Sequence, residues 1–307
     1  MKNRTLNRSL LTALLIGAIL SSSALTAAEP AAATSPSAQG PTSKGPAEGK
    51  VQSQARSQAG ERRKEVISEA VAALAQTKKA LAALDAGKKK EALSALTTAI
   101  GQLELILARD PELALAPVDV TVMSYDVYAS PKAIKEAVKK AEDYLEHGEV
   151  QKARALLDGL ASEIVISVIN IPLETYPDAI KAVVPLIDAG KTEEAKAQLQ
   201  AALDTLVVVD QILPLPILRA EALLDQAQSL AEKEKRTAEE NKTLSELLKT
   251  ARTQLELGQA LGYGDKKAYE PLYAELKEIE GRISGGQADH GFFDKLRKSL
   301  RELKKSL

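Results

Sequence analysis

One short unit occurs three times and commits much of this chain to paired helices. Its versions are Leu-Asp-Ala-Gly-Lys-Lys-Lys-Glu-Ala (84–92), Leu-Glu-His-Gly-Glu-Val-Gln-Lys-Ala (145–153) and Ile-Asp-Ala-Gly-Lys-Thr-Glu-Glu-Ala (187–195). In each, an apolar residue precedes the glycine by three places and an alanine follows it by five. A leucine stands nine places on, at Leu96, Leu157 and Leu199. Glycine takes the left-handed conformation that closes a helix at little steric cost. The alanine lets the second helix lie close against the first. Gly87, Gly148 and Gly190 are therefore structural turns, and the local pattern is a helical hairpin. The glycines stand 61 and then 42 residues apart, so no regular solenoid follows.

The 307 residues carry 41 Lys+Arg against 42 Asp+Glu, two His, no Cys and no Trp. Without cysteine there is no disulfide, thiol nucleophile or cysteine-type zinc site. Two histidines cannot make a three-histidine metal centre. Balanced charge and nine aromatics exclude bulk electrostatic or stacking-based nucleic-acid binding. No nucleotide loop, GxSxG or HExxH motif is present, so no catalytic residues, metal ligands or cofactor are expected, and the chain is read as a non-enzyme. His147, at a helix end, and His290 carry no ligand spacing.

Residues 1–28 have the order of a secretory signal: Lys2, Arg4 and Arg8, then an apolar run from Leu10 to Leu20, then small residues. Cleavage is expected after Ala28, with Ala24 as the alternative. No second long apolar run is evident, so the mature protein is expected in the periplasm. Residues 29–60 are rich in Ala, Pro, Ser, Gly and Gln, and are expected to be a disordered tether. A helical-hairpin core with a small β element is expected over 61–235. A C-terminal helical region ending in an amphipathic helix is expected over 236–307.

Three stretches break the helical pattern. Val118–Tyr128 alternates apolar and polar residues as a half-buried strand does. Glu163–Leu173 and Thr205–Ile217 are β-branched and end at prolines. The first should pair antiparallel with the second; the second and third either form strands or extend their preceding helices. Ser130-Pro131 supplies an N-cap and first-turn proline, Pro185 predicts a kink, and Thr237-Ala-Glu-Glu240 is a capping box. After the Gly285-Gly286 hinge, Phe292, Phe293, Leu296, Leu300 and Leu303 form an apolar stripe on an otherwise cationic helix. That stripe docks on its own domain, on a neighbouring subunit or on an anionic membrane surface. Tyr125, Tyr128, Tyr176, Tyr263, Tyr269 and Tyr273 fall in or near the breaks. There they either seal junctions between helices or line a ligand surface.

Several blocks resemble the YfdX family: Asp119-Val-Thr-Val-Met-Ser-Tyr-Asp-Val-Tyr128, Ile171-Pro-Leu-Glu-Thr-Tyr-Pro-Asp-Ala-Ile180, Leu213-Pro-Leu-Pro-Ile-Leu-Arg-Ala-Glu-Ala-Leu223, Gln254-Leu-Glu-Leu-Gly-Gln-Ala-Leu-Gly-Tyr-Gly264 and Gly291-Phe-Phe-Asp-Lys295. The resemblance implies a mainly α, exported, oligomeric, chaperone-like protein linked to acid and drug stress. It implies homo-oligomers, and partly unfolded proteins or small hydrophobic molecules as partners. An antibiotic-like ligand held in a tyrosine-lined cleft is the alternative function. With two histidines, any acid response must come from carboxylates, so a change in assembly is expected near pH 4 and little between pH 8 and 6.

Overall fold

The computed structural model describes residues 46–284 and 291–307. The signal sequence with Ala28, the first part of the tether, the Gly285-Gly286 hinge and His290 lie outside them. The described residues form one compact unit. The architecture is mainly α, built from antiparallel helical hairpins around one small sheet.

The chain opens with α1 (Pro46–Lys64), then α2 (Ser68–Asp85) and α3 (Lys89–Arg109), which pair as the first glycine-turn hairpin. Strand β1 (Leu115–Tyr125) follows, then the second hairpin, α4 (Pro131–Glu146) and α5 (Val150–Leu157), then β2 (Glu163–Pro172). Helices α6 (Tyr176–Lys181), α7 (Val183–Asp188) and α8 (Thr192–Leu203) carry the third turn and lead to β3 (Val207–Pro214). Last come α9 (Leu215–Ala231), α10 (Ala238–Ala260), α11 (Lys266–Ser284) and α12 (Phe292–Lys305).

All three glycines take the conformation their spacing requires, with φ of 71°, 72° and 75°. Each turn closes with paired backbone bonds: Lys88 N–H to Ala83 O at 2.8 Å, Glu149 N–H to Tyr144 O at 2.8 Å, and Lys191 N–H to Leu186 O at 2.9 Å. These are the long bonds of a Schellman closure. The kink expected at Pro185 appears as the break between α6 and α7 at Ala182, because proline has no N–H to bond back one turn. Ser130 caps α4 through Ala133 N–H at 3.2 Å, and Thr237 and Glu240 form the reciprocal box that starts α10.

The open choice at the two later β-rich stretches resolves to strands. The sheet has the order β1-β2-β3, antiparallel throughout, with Val120 opposite Val168 and Val168 opposite Val209. β-branched side chains suit this pleated surface better than a helix. One irregularity, between Pro117 and Asp119, shifts the β1 register. Proline cannot donate to a ladder, and an extra residue there re-aims the strand.

Two sequence expectations need correction. The tether expected to run to residue 60 is helical from Pro46. Val51, Ala55 and Ala59 recur at four-residue spacing and are buried against Ile164, Ile166, Val168 and Leu218. A stripe of one valine and two alanines is enough here because the sheet presents large β-branched partners. The domain boundary expected at 235 also fails, because Ala220, Leu224, Ala227 and Ala231 of α9 pack with α10, α11 and α12 in one cluster. A second cluster joins α2 and α3 to α6–α8 and the start of β1. Helix α3 is long and apolar enough to cross a membrane, contrary to the expectation of no second apolar run, but Leu96, Ala99 and Leu103 are buried in that cluster.

Gly258 marks a tight contact that periodicity does not reveal. A Cβ there would lie 2.9 Å from Ile217 Cδ1 and 3.1 Å from the Tyr269 hydroxyl. Helix propensity favours alanine over glycine by about 1 kcal/mol, whereas overpacking costs about 1–3 kcal/mol. Gly258→Ala should therefore lower stability by about 1 kcal/mol, measured as a lower urea midpoint. A raised midpoint would show that α9 and α11 can move apart freely.

Candidate functional site

Alternation along β2 gives the sheet two different faces. Ile164, Ile166 and Val168 point into the cluster under α1 and are buried. Val165, Ser167 and Ile169 point the other way. Register places Met123 and Ile212 on either side of Val165, Thr121 and Asp210 beside Ser167, and Asp119 and Val208 beside Ile169. Helices α2 and α3 cover one end of this second face, through Ala116, Val118 and Ile171, with Ile169 packed against the same cluster. Beyond that, Met123 is 53% exposed, Ile212 48% and Val208 55%. Three apolar side chains of one sheet face are thus left half in water, at about 25 cal/mol per Å2 of exposed apolar surface. Large exposed apolar patches mark contact surfaces more often than isolated exposed residues do.

A polar knot closes the end of this face where β1 stops and β2 starts. Arg219 of α9 donates to both carboxylate oxygens of Asp126, from its two terminal nitrogens at 3.0 and 2.7 Å, and to Glu48 of α1 at 3.1 Å. The Ser162 hydroxyl donates to Asp126 at 2.9 Å. The Ser162 N–H donates to the Tyr263 hydroxyl at 2.9 Å, and that hydroxyl donates to Glu163 at 2.7 Å. Burial alone would raise the Asp126 pKa. The Arg219 guanidinium, with help from Ser162 and Tyr128, outweighs it and holds the carboxyl below its ordinary value. Burial, with Glu163 alongside, pushes the Tyr263 hydroxyl well above its ordinary range. The knot therefore stays a fixed ion pair and a neutral phenol across neutral pH. It ties α1, the sheet, α9 and the α10–α11 turn together.

The six tyrosines do not form one cleft. Tyr125 and Tyr128 are exposed at the end of β1, beside the knot that holds Tyr263. Tyr269 is fully buried, donates to the Tyr263 carbonyl and stacks on Tyr273 with ring centres 6.2 Å apart. Tyr176 lies fully buried in the other cluster, its hydroxyl facing Thr77. Tyr176, Tyr263, Tyr269 and Tyr273 therefore seal junctions, and as a ligand cleft they are corrected. A groove of about 600 Å3 between α11 and α12 and one of about 440 Å3 beside β3 contain no tyrosine in their walls.

The C-terminal stripe takes the first of its three arrangements. Phe293, Leu296, Leu300 and Leu303 are buried in the bundle of α9–α11. Arg297 reaches Asp225 at 2.7 Å and Lys304 reaches Glu221 at 2.9 Å, fastening α12 to α9. Phe293, Leu296 and Leu300 are therefore not a client surface, a subunit contact or a membrane face, because their apolar side is already covered. The Phe292 side chain lies outside the described part.

Among the described residues no group of three His, Cys, Asp or Glu is placed to hold a metal ion. His147 is exposed at the end of α4, its Nδ1 2.8 Å from the Asp143 carbonyl.

With this geometry in view, a family model described as YfdX protein matches residues 73–212. That stretch is similar to the YfdX family. It runs from within α2 into β3 and so takes in β1, β2, most of β3 and all three glycine turns. The blocks at 119–128 and 171–180 fall within the match, whereas those at 254–264 and 291–295 lie in the helical bundle beyond it. A solved structure of YfdX from Salmonella Typhi is similar over 49% of this chain and 93% of its own, at 17% identity and a TM-score of 0.34. No curated protein matches the chain.

Proposed function

We propose that this protein is a non-enzymatic, self-associating holder of partly unfolded proteins, working in the periplasm under acid or drug stress. The observation that carries the reading is the open part of the sheet face, where Met123, Val208 and Ile212 are exposed beside a half-buried Val165. Such a face takes extended apolar segments of many sequences, because burial is non-directional and asks only for apolar area. Thr121, Ser167 and Asp210 between the apolar rows keep it wet enough to release what it holds. Small hydrophobic molecules are the second class of ligand it suits. Export is supported by the charged, apolar and small residues in sequence over 1–28.

The test is light scattering from a heat-unfolding enzyme mixed with this protein. Met123→Ser/Ile212→Ser should raise the dose needed for half-suppression about tenfold, the equivalent of losing one buried apolar side chain. Both side chains are half exposed, so the fold should survive, which circular dichroism checks. Equal suppression by the two proteins would end the proposal.

A further inference from the structure

The two edges of the sheet are finished differently. A sheet edge carries unpaired N–H and C=O groups that template another strand, and proteins blunt such edges with proline, bulges and charges. The β1 edge is blunted. Pro117 has no N–H, and its carbonyl accepts the Ile67 N–H at 3.0 Å. The register shift follows at once, and the Asp119 carboxylate then takes the Val120 N–H at 2.8 Å.

The β3 edge is left open. Leu215 N–H bonds to Ser162 O at 2.9 Å, one step beyond the pair Glu163 and Pro214. Backbone groups alternate along an antiparallel strand, so Leu213, Gln211 and Val209 also turn inward to β2. Ile212, Asp210 and Val208 turn outward, and among the described residues their N–H and C=O groups meet no partner there. No proline or lysine interrupts residues 207–213. The groove of about 440 Å3 beside β3 touches Asp210, Gln211, Ile212 and Leu213 in succession. Ile212 and Leu213 point to opposite faces, so a groove that touches both runs along the edge.

Chemistry names the occupant. Alternate outward residues, each offering one donor and one acceptor, are matched by a second extended backbone. Their side chains read apolar, acidic, apolar: Val208, Asp210, Ile212. Opposite charges across a pair of strands stabilise it, and like charges destabilise it. A strand with a cation between two apolar residues therefore fits. A second β3 laid antiparallel to pair all three residues would set Asp210 against Asp210, so a further copy of the chain does not.

We infer that the β3 edge is a strand-addition site. It takes, as a fourth strand, an extended peptide segment in which apolar residues stand two places either side of a lysine or arginine. The inference deepens the proposed holding of unfolded proteins, on which it rests for the source of the segment. It adds a grip on the client backbone beside the open face.

The probe is a labelled peptide, Thr-Val-Thr-Lys-Thr-Val-Thr, titrated with the full chain and read by fluorescence anisotropy. N-methylation of its valine and lysine amides, which would face β3, should weaken binding about 100-fold, the loss of three backbone hydrogen bonds. N-methylation of the threonine amides, which face away, should leave binding unchanged. Side chains are the same in both peptides, so the difference reads the backbone alone. Asp210→Lys should reverse the charge preference and favour the peptide with glutamate in place of lysine. Asp210 is exposed, so the fold should survive. Equal binding of the two methylated peptides, or no binding of the unmodified one, would overturn the inference, and suppression of client scattering would then leave the proposed function standing. Peptide binding by a protein that suppresses no scattering would keep the edge site and end the proposed function. A doubled mass with the peptide displaced at high protein concentration would give the edge to a second copy and overturn the inference.

Discussion

Arg219→Ala should cost this protein about 3 kcal/mol of stability, the lower end of the range for removing one partner of a buried ion pair. The guanidinium and the Asp126 carboxylate keep 19% and 16% of their side-chain surface exposed, so water softens the loss without removing it. What remains is a carboxylate held among Ser162, Tyr128 and the end of the sheet, and a second carboxylate, Glu48, with its partner gone. The urea midpoint should fall with little change in slope. Arg219→Ala/Asp126→Ala should regain part of the loss, because the orphaned charge leaves with its partner. A single variant as stable as the wild type would show that the knot does not join the sheet to the bundle.

The same pair sets a pH dependence. Asp126 has a folded pKa below its ordinary value, so the pair contributes fully above the unfolded carboxylate value of about 4. That contribution is lost as pH falls through the lower, folded value. Between pH 8 and 6 it does not change. The stability difference between wild type and Arg219→Ala should therefore shrink as the solution is acidified, beginning above the ordinary carboxylate value, because burial without Arg219 raises the Asp126 pKa in the variant, and ending below it, where the wild-type carboxyl takes up its proton.

Phe293→Ala should destabilise the chain by about 3–5 kcal/mol, as expected for emptying a fully buried aromatic site. Phe293, Leu296, Leu300 and Leu303 are all buried against α9–α11, so the cavity would open inside the bundle. Chemical denaturation measures the loss, and the wild-type fold should still hold clients below the transition. A Phe293→Ala protein of unchanged stability that no longer held clients would instead place this stripe on the surface.

Much of the fold was legible because it is local. The turn glycines, the Ser130 cap and the Thr237–Glu240 box each act within a few residues, so spacing alone reveals them. The apolar stripe of α12 was equally plain, but a stripe does not say what it lies against. Its own bundle covers it through α9, a helix that sequence grouping had assigned to a different domain. Helix α1 was missed because its buried side is Val51, Ala55 and Ala59 among Gln, Ser and Arg. Small residues carry little periodic signal, and what holds the helix is the sheet beneath it. The Arg219–Asp126 pair spans 93 positions, and no local pattern announces a contact that long. The open sheet face was half legible: alternation in β1 was visible, but which face stayed uncovered depends on where α1 and α2–α3 settle.

The central claim is that clients lie on this uncovered face. Amide hydrogen exchange of the full chain, with and without an unfolded test protein, examines it residue by residue. Client binding should slow exchange in residues 119–125 and 207–213, the strands that border the face, and leave α12 unchanged. Protection confined to α12 or to the α10–α11 turn, with both strands unaffected, would contradict the account.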